Sequence, residues 1–151
     1  MIRIIKVKDY EEASDQAFAV MKEFLKPGKV LGLATGSTPL GLYERMVKDH
    51  KENGTSYREI KSFNLDEYVG LAPNHEQSYR YFMDSNLFDH INIDKANTYV
   101  AKGVGDVEAN LEEFRAVLKK SDVAVQVLGV GPDGHIGFNE PGETLYDTVH
   151  K

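Results

Sequence analysis

The sequence predicts an α/β fold, an open and mostly parallel sheet with helices on both faces in a Rossmann-like three-layer sandwich. Three observations carry this. Short β-branched runs alternate with longer stretches of helical periodicity, one run is apolar enough to need cover on both faces, and three polar, glycine-containing clusters follow directly on strand-like runs. Right-handed crossovers between parallel strands gather such clusters at the carboxyl edge of the sheet, where ligands of open α/β sheets bind.

The elements follow in order. IRIIKV (2–7) is short and β-branched and predicts a strand. DYEEASDQAFAVMKEFL (9–25) predicts a helix: Asp9 caps it with Glu12 three residues on, Ala13, Ala17, Val20, Met21 and Phe24 recur at helical spacing, and Pro27-Gly28 ends it. KVLGLA (29–34) predicts a buried strand running straight into TGSTP (35–39), where Pro39 suits the first turn of a second helix carrying Leu42, Tyr43, Met46 and Val47. IKSFNLDEYVGL (60–71) reads as a strand leaving by an acidic turn, and QSYRYFMDSNLF (77–88) as a helix with Phe82, Met83 and Leu87 inward. NTYVA (97–101) predicts a short strand, and DVEANLEEFRAVLKK (106–120) a helix with Val107, Leu111, Phe114 and Leu118 on one stripe. DVAVQVLGVG (122–131) predicts a central parallel strand.

Composition narrows the function classes. The chain has 151 residues, the length of one ordinary domain, with 41% hydrophobic and 28% charged residues, the balance of a globular protein. A net charge of -6 argues against an extended nucleic-acid footprint. Cysteine is absent, so disulfides, a thiolate nucleophile and a cysteine metal cage drop out. No apolar run approaches the roughly 20 residues of a membrane span, and with no sorting signal in view the cytoplasm is the expected compartment.

Each cluster has a bland and a chemical reading. Thr35-Gly36-Ser37-Thr38-Pro39 reads either as a helix cap or as a phosphate cradle, in which small residues admit an anion to the N–H groups at a helix start. It lacks the Gly-Lys-Ser/Thr ending of a nucleotide-triphosphate loop. Asp66-Glu67 reads as a solvated turn, or as a carboxylate whose apolar surroundings (Phe63, Leu65, Tyr68, Val69, Leu71) raise its proton affinity and suit it to taking a proton from carbon. Which of the two acids faces inward is open at this point. LGVGPDGHIGFNEPG (128–142) crowds Asp133, His135 and Glu140 among glycines. A histidine between carboxylates is held in one tautomer and suited to moving a proton between oxygens near neutral pH. One histidine with scattered carboxylates is a weak zinc signature, so acid–base work ranks above metal binding.

LATGSTP, FNLDEYVGL followed by QSY, and LGVGPDGHIGFNEPG together resemble the glucosamine-6-phosphate deaminase family over essentially the whole chain. The resemblance implies conversion of D-glucosamine 6-phosphate and water to D-fructose 6-phosphate and ammonia in amino-sugar (N-acetylglucosamine) catabolism, a small-molecule sugar phosphate as partner, and no metal or organic cofactor. It assigns Asp66 as the base at C2, His135 as the group that opens the pyranose ring, Asp133 and Glu140 as its orienting carboxylates, and Gly36, Ser37 and Thr38 to the 6-phosphate. Glu67, Tyr68 and Asn139 are expected to be supporting or wall residues. Family members continue past the ETLYDTVHK ending with further strands, helices and a basic pair at the phosphate. The expectation is therefore one sugar-phosphate domain over residues 1–151, truncated at its C-terminus, lacking full activity and open to homo-oligomeric association.

Two rivals stand beside this reading. A 6-phosphogluconolactonase-like hydrolase would use His135 to activate water, but would leave Asp66 and Glu140 without clear duties. A non-catalytic sugar-phosphate sensor would need the phosphate loop alone.

Overall fold

Asp9 opens the first helix as its spacing predicts, its carboxylate accepting the Glu12 N–H at 2.8 Å, and α1 runs Tyr10–Lys22. In the computed structural model, which describes residues 1–137, 139, 141–143 and 148–151, strand β1 follows at Val30–Leu33 and helix α2 at Leu40–Asn53. Gly54, at φ 71°, ends α2 in the left-handed conformation that glycine adopts without a steric cost. Next come β2 (Lys61–Asn64), α3 (Tyr79–Asn86), β3 (Thr98–Tyr99), α4 (Val107–Lys120) and β4 (Val123–Gln126). Ser78 and Asp106 cap α3 and α4 through side-chain oxygens that accept the Tyr81 and Ala109 N–H groups.

The described sheet has the order β3-β2-β1-β4, and every pairing is parallel. Helices cover both faces, as predicted. On one side Leu31 and Leu33 of β1 pack with Met21 of α1, Leu42, Tyr43 and Met46 of α2, and Met83 of α3. On the other, Val30 and Phe63 meet Phe114 of α4, with the Phe63 and Phe114 rings 4.9 Å apart and Tyr99 stacked on Phe63 at 5.3 Å.

Two sequence expectations need correction. Residues 2–7 form no strand, and Ile2 and Ile4 stand 90% and 79% exposed. β-branched composition favours a strand only where a neighbour supplies its hydrogen bonds, and no described strand pairs with this segment. The apolarity of 122–131 predicts a place at the sheet centre, yet β4 is the outer strand of the described sheet and its residues are half-buried. Its apolarity reports covered faces rather than flanking strands: Val125 packs on the α1–α3 side and Val123 on the α4 side. No described helix is long and apolar enough to cross a membrane.

One buried side chain ties the core to the carboxyl edge. The fully buried Tyr43 hydroxyl donates to the Ala34 carbonyl at 2.5 Å and accepts the Ala34 N–H at 3.1 Å, just where β1 gives way to the TGST turn. Burial pushes the phenol well above its ordinary range, so it stays protonated and keeps donating. Tyr43→Phe leaves both Ala34 backbone groups unsatisfied and is expected to cost about 1–3 kcal/mol, visible as a melting temperature lower by roughly 3–10 °C. A melt within about 1 °C of the parent would show that this bracing is energetically idle.

Candidate functional site

At the carboxyl ends of β1, β2 and β4 the chain encloses an open cavity of about 300 Å³. All three clusters singled out in the sequence reach it. Gly36, Ser37 and Thr38 form one wall, Leu65 and Asp66 a second, and the segment from Leu128 to Pro132 with His135 and Gly137 a third. Helical crossovers between parallel strands bring these segments, distant in sequence, to one rim.

The TGST turn does not spend its hydroxyls on capping. Pro39 occupies the cap position of α2 and makes no side-chain cap bond, so the helix-cap reading of Ser37 and Thr38 fails. Neither hydroxyl has a hydrogen-bond partner among the described residues, and Gly36 holds φ at 88° beside open space. The result is a helix start preceded by exposed residues with hydroxyls to offer, an arrangement suited to an anion. No lysine or arginine lies in the described lining.

The acidic pair divides its labour. Asp66 lines the cavity, and burial, reinforced by the neighbouring Glu67 charge, pushes its carboxyl up to about 6. Glu67 turns the other way and fastens the loop to α3. It accepts the N–H groups of Tyr68, Tyr79 and Arg80 at 2.8, 2.9 and 3.0 Å and the Ser78 hydroxyl at 3.0 Å. The apolar shell differs in part from the sequence expectation, because Tyr68 and Val69 are exposed and Phe63 points to the α4 side. Leu33, Leu65 and Tyr79 are the bulk that shares the cavity with Asp66.

Tyr79 is the lining residue that sequence reasoning missed. It is the first residue of α3, and its hydroxyl donates to that of Tyr68 at 3.1 Å with the rings 4.8 Å apart. Burial first, then the Tyr68 hydrogen bond and the nearby Asp66 charge, push its phenol up, so it remains a donor at neutral pH. The available signal was Ser78, whose capping role puts the next side chain at a helix start facing the acidic loop.

On the glycine-rich wall, His135 Nδ1 lies 2.8 Å from Asp133 Oδ1, as the crowding of these residues predicts. The Gly131 N–H donates to the His135 carbonyl at 3.0 Å, closing a tight loop around the pair. A Cβ on Gly131 would stand 2.5 Å from His135 Nδ1 and 2.6 Å from Asp133 Oδ1, so only glycine lets the ring lie there. Asn139 bonds the Ile136 carbonyl at 3.2 Å and so closes the loop from behind, as a supporting residue. Glu140, the second expected carboxylate, lies outside the described residues. Of the other histidines, His75, His90 and His150 are exposed as expected, whereas His50 is half-buried, with Nδ1 2.7 Å from the Thr55 carbonyl and its ring edge-on to Tyr57.

The profile of the glucosamine-6-phosphate isomerases/6-phosphogluconolactonase family matches residues 9–143. The chain belongs to this family. Among its members, a glucosamine-6-phosphate deaminase of Geobacillus sp. (strain WCH70) is 46% identical over 99% of this chain and 61% of its own length. One from Clostridium perfringens (strain SM101 / Type A) is 49% identical over 95% of this chain and 61% of its own. Among solved structures of the family, a monomeric glucosamine-6-phosphate deaminase superposes with a TM-score of 0.91 at 35% identity, covering 95% of this chain and 61% of that one. The chain thus spans about 61% of the length of the relatives it matches.

Proposed function

We propose that this chain carries the catalytic rim of a glucosamine-6-phosphate deaminase, an isomerase and deaminase of amino-sugar catabolism working in the cytoplasm. The observation that carries the reading is that Asp66, with its carboxyl raised to about 6, shares one cavity with the Gly36–Thr38 turn and with His135, whose Nδ1 lies against Asp133 behind the lining. In this reading residues 1–151 belong to one sugar-phosphate domain truncated at its C-terminus, and the protein is open to homo-oligomeric association.

The 6-phosphate rests on the N–H and hydroxyl groups of Gly36, Ser37 and Thr38. His135, oriented by Asp133 and Glu140, takes the anomeric O–H proton and returns a proton to the ring oxygen as the C1–O5 bond breaks, leaving an open-chain aldehyde. Asp66 then removes the C2 proton, and the electron pair moves through the C1 carbonyl, whose oxygen takes up the proton that the substrate's ammonium group gives up, to leave an enolamine. The same proton returns to C1, the nitrogen lone pair closes a C2 iminium, water adds at C2, and ammonia departs to leave the 2-ketone. A general base tuned to about 6 is ionised at neutral pH yet basic enough for this transfer.

The test supplies the intact protein with glucosamine 6-phosphate and, separately, with 6-phosphogluconolactone, following ammonia and acid release. Ammonia release from the amino sugar with no acceleration of lactone opening is expected. Acid release alone would transfer the site to the lactonase reading, and tight binding with neither product would make it a sensor.

A further inference from the structure

We propose that Tyr10, the first residue of α1, is a positioning residue for the phosphate turn: its hydroxyl draws the Ser37 and Thr38 carbonyls and the Gly41 N–H to one point outside the cavity. The inference rests on the phosphate reading above and adds to it a residue from a different element. The Tyr10 hydroxyl lies 2.9 Å from the Ser37 carbonyl and 3.0 Å from that of Thr38, sharing its single proton between them, and it accepts the Gly41 N–H at 2.8 Å. Ser37 and Thr38 line the cavity and Tyr10 does not, so both carbonyl oxygens are tied on the far side of the turn. A carbonyl facing an anion repels it. With these two held away, the approach to the cavity is left to N–H and hydroxyl groups.

Two further observations separate this from ordinary packing. Tyr10 is 46% exposed and belongs to neither hydrophobic cluster, so its ring adds little to the core. Gly41 admits both α1 side chains: a Cβ there would collide first with Ser14 Oγ and would stand 2.9 Å from Ser14 Cβ and 3.0 Å from Tyr10 Cε1. Because α2 has no side-chain cap of its own, the hydroxyl from α1 serves as its cap from outside. Arg45 also ties α1 to α2, reaching Asp15 at 2.8 Å and Glu11 at 2.7 Å; it donates to the Gly41 carbonyl at 3.3 Å, and none of these bonds involves Tyr10, Ser37 or Thr38.

That separation supplies the control. Inorganic phosphate is titrated into the intact protein, into its Tyr10→Phe variant and into its Arg45→Met variant, following the backbone amide resonances of Gly36, Ser37 and Thr38 together with the melting temperature. Tyr10→Phe is expected to bind phosphate about three- to tenfold more weakly, with the Gly41 amide resonance displaced even before ligand is added. Arg45→Met is expected to lower the melting temperature while holding phosphate as the parent does. Parent-like binding by Tyr10→Phe, or an equal weakening by Arg45→Met, would overturn the positioning role and leave the phosphate reading standing. A parent chain whose three amides ignore phosphate would overturn that reading and the Tyr10 role with it.

Discussion

Asp66→Asn is expected to lower turnover of glucosamine 6-phosphate by about 10²–10⁴-fold in the intact protein while making the fold more stable at neutral pH. The two effects have one cause. Burial and the Glu67 charge raise the Asp66 carboxyl from 3.8 to about 6, so the folded protein bears an ionised group in a place that disfavours it. Between these two values the folded chain holds a proton that the unfolded chain has released, and stability falls as pH rises through that window. Above it the penalty is constant, on the order of 1–3 kcal/mol after allowance for partial solvent access. Asparagine has nearly the same shape and no charge, so it removes the penalty and the base together. Thermal melts at pH 4 and pH 7 check the first half: the stability gained by the variant should be larger at pH 7. Parental kcat/KM should rise with pH through about 6 and then level off, since only the ionised form accepts the C2 proton. A variant less stable than its parent at pH 7 would contradict the burial argument, and one with parental turnover would remove Asp66 from the chemistry.

Gly131→Ala is expected to lower kcat by about 10²-fold with little change in KM, although the added methyl touches no substrate-binding residue of the phosphate turn. The new Cβ would lie 2.5 Å from His135 Nδ1 and 2.6 Å from Asp133 Oδ1, so the imidazole, the carboxylate or both must move. Their 2.8 Å contact is one that bears on the ring's orientation. A displacement near 1 Å at a proton-transfer group is enough for a loss of this size. The decisive comparison is a double variant: Gly131→Ala added to His135→Gln should cost almost nothing further, because both act on one function. Full additivity of the two losses, or a single variant within threefold of its parent, would show that the glycine does not act through the histidine.

Much of the architecture was legible because its signals are local. Asp9 with Glu12 marked the start of α1, and the apolar stripe of α4 named Phe114 as an inward residue. The rim was legible for a different reason, since parallel crossovers leave few places for three polar turns to go. Long-range pairing was not legible. The Ile-rich residues 2–7 carry strand propensity without a described neighbour to pair with, and β4 reads as central while lying at the margin of the described sheet. Within the site, spacing could not tell Asp66 from Glu67, because the distinction depends on α3 presenting two N–H groups, and its cap residue Ser78 a hydroxyl, to one of them. Tyr10 was invisible for the same reason, since it meets a turn far from it in sequence, whereas Tyr79 had only the indirect signal of the Ser78 cap.

The four hydrogen-bonding groups gathered by Glu67 have a mechanical consequence. They rivet the floor under Asp66 to the helix bearing Tyr79, so that side of the cleft behaves as a fixed jaw. On the deaminase reading proposed above, accommodating a hexose then falls to the opposite, glycine-laden lip at residues 129–137.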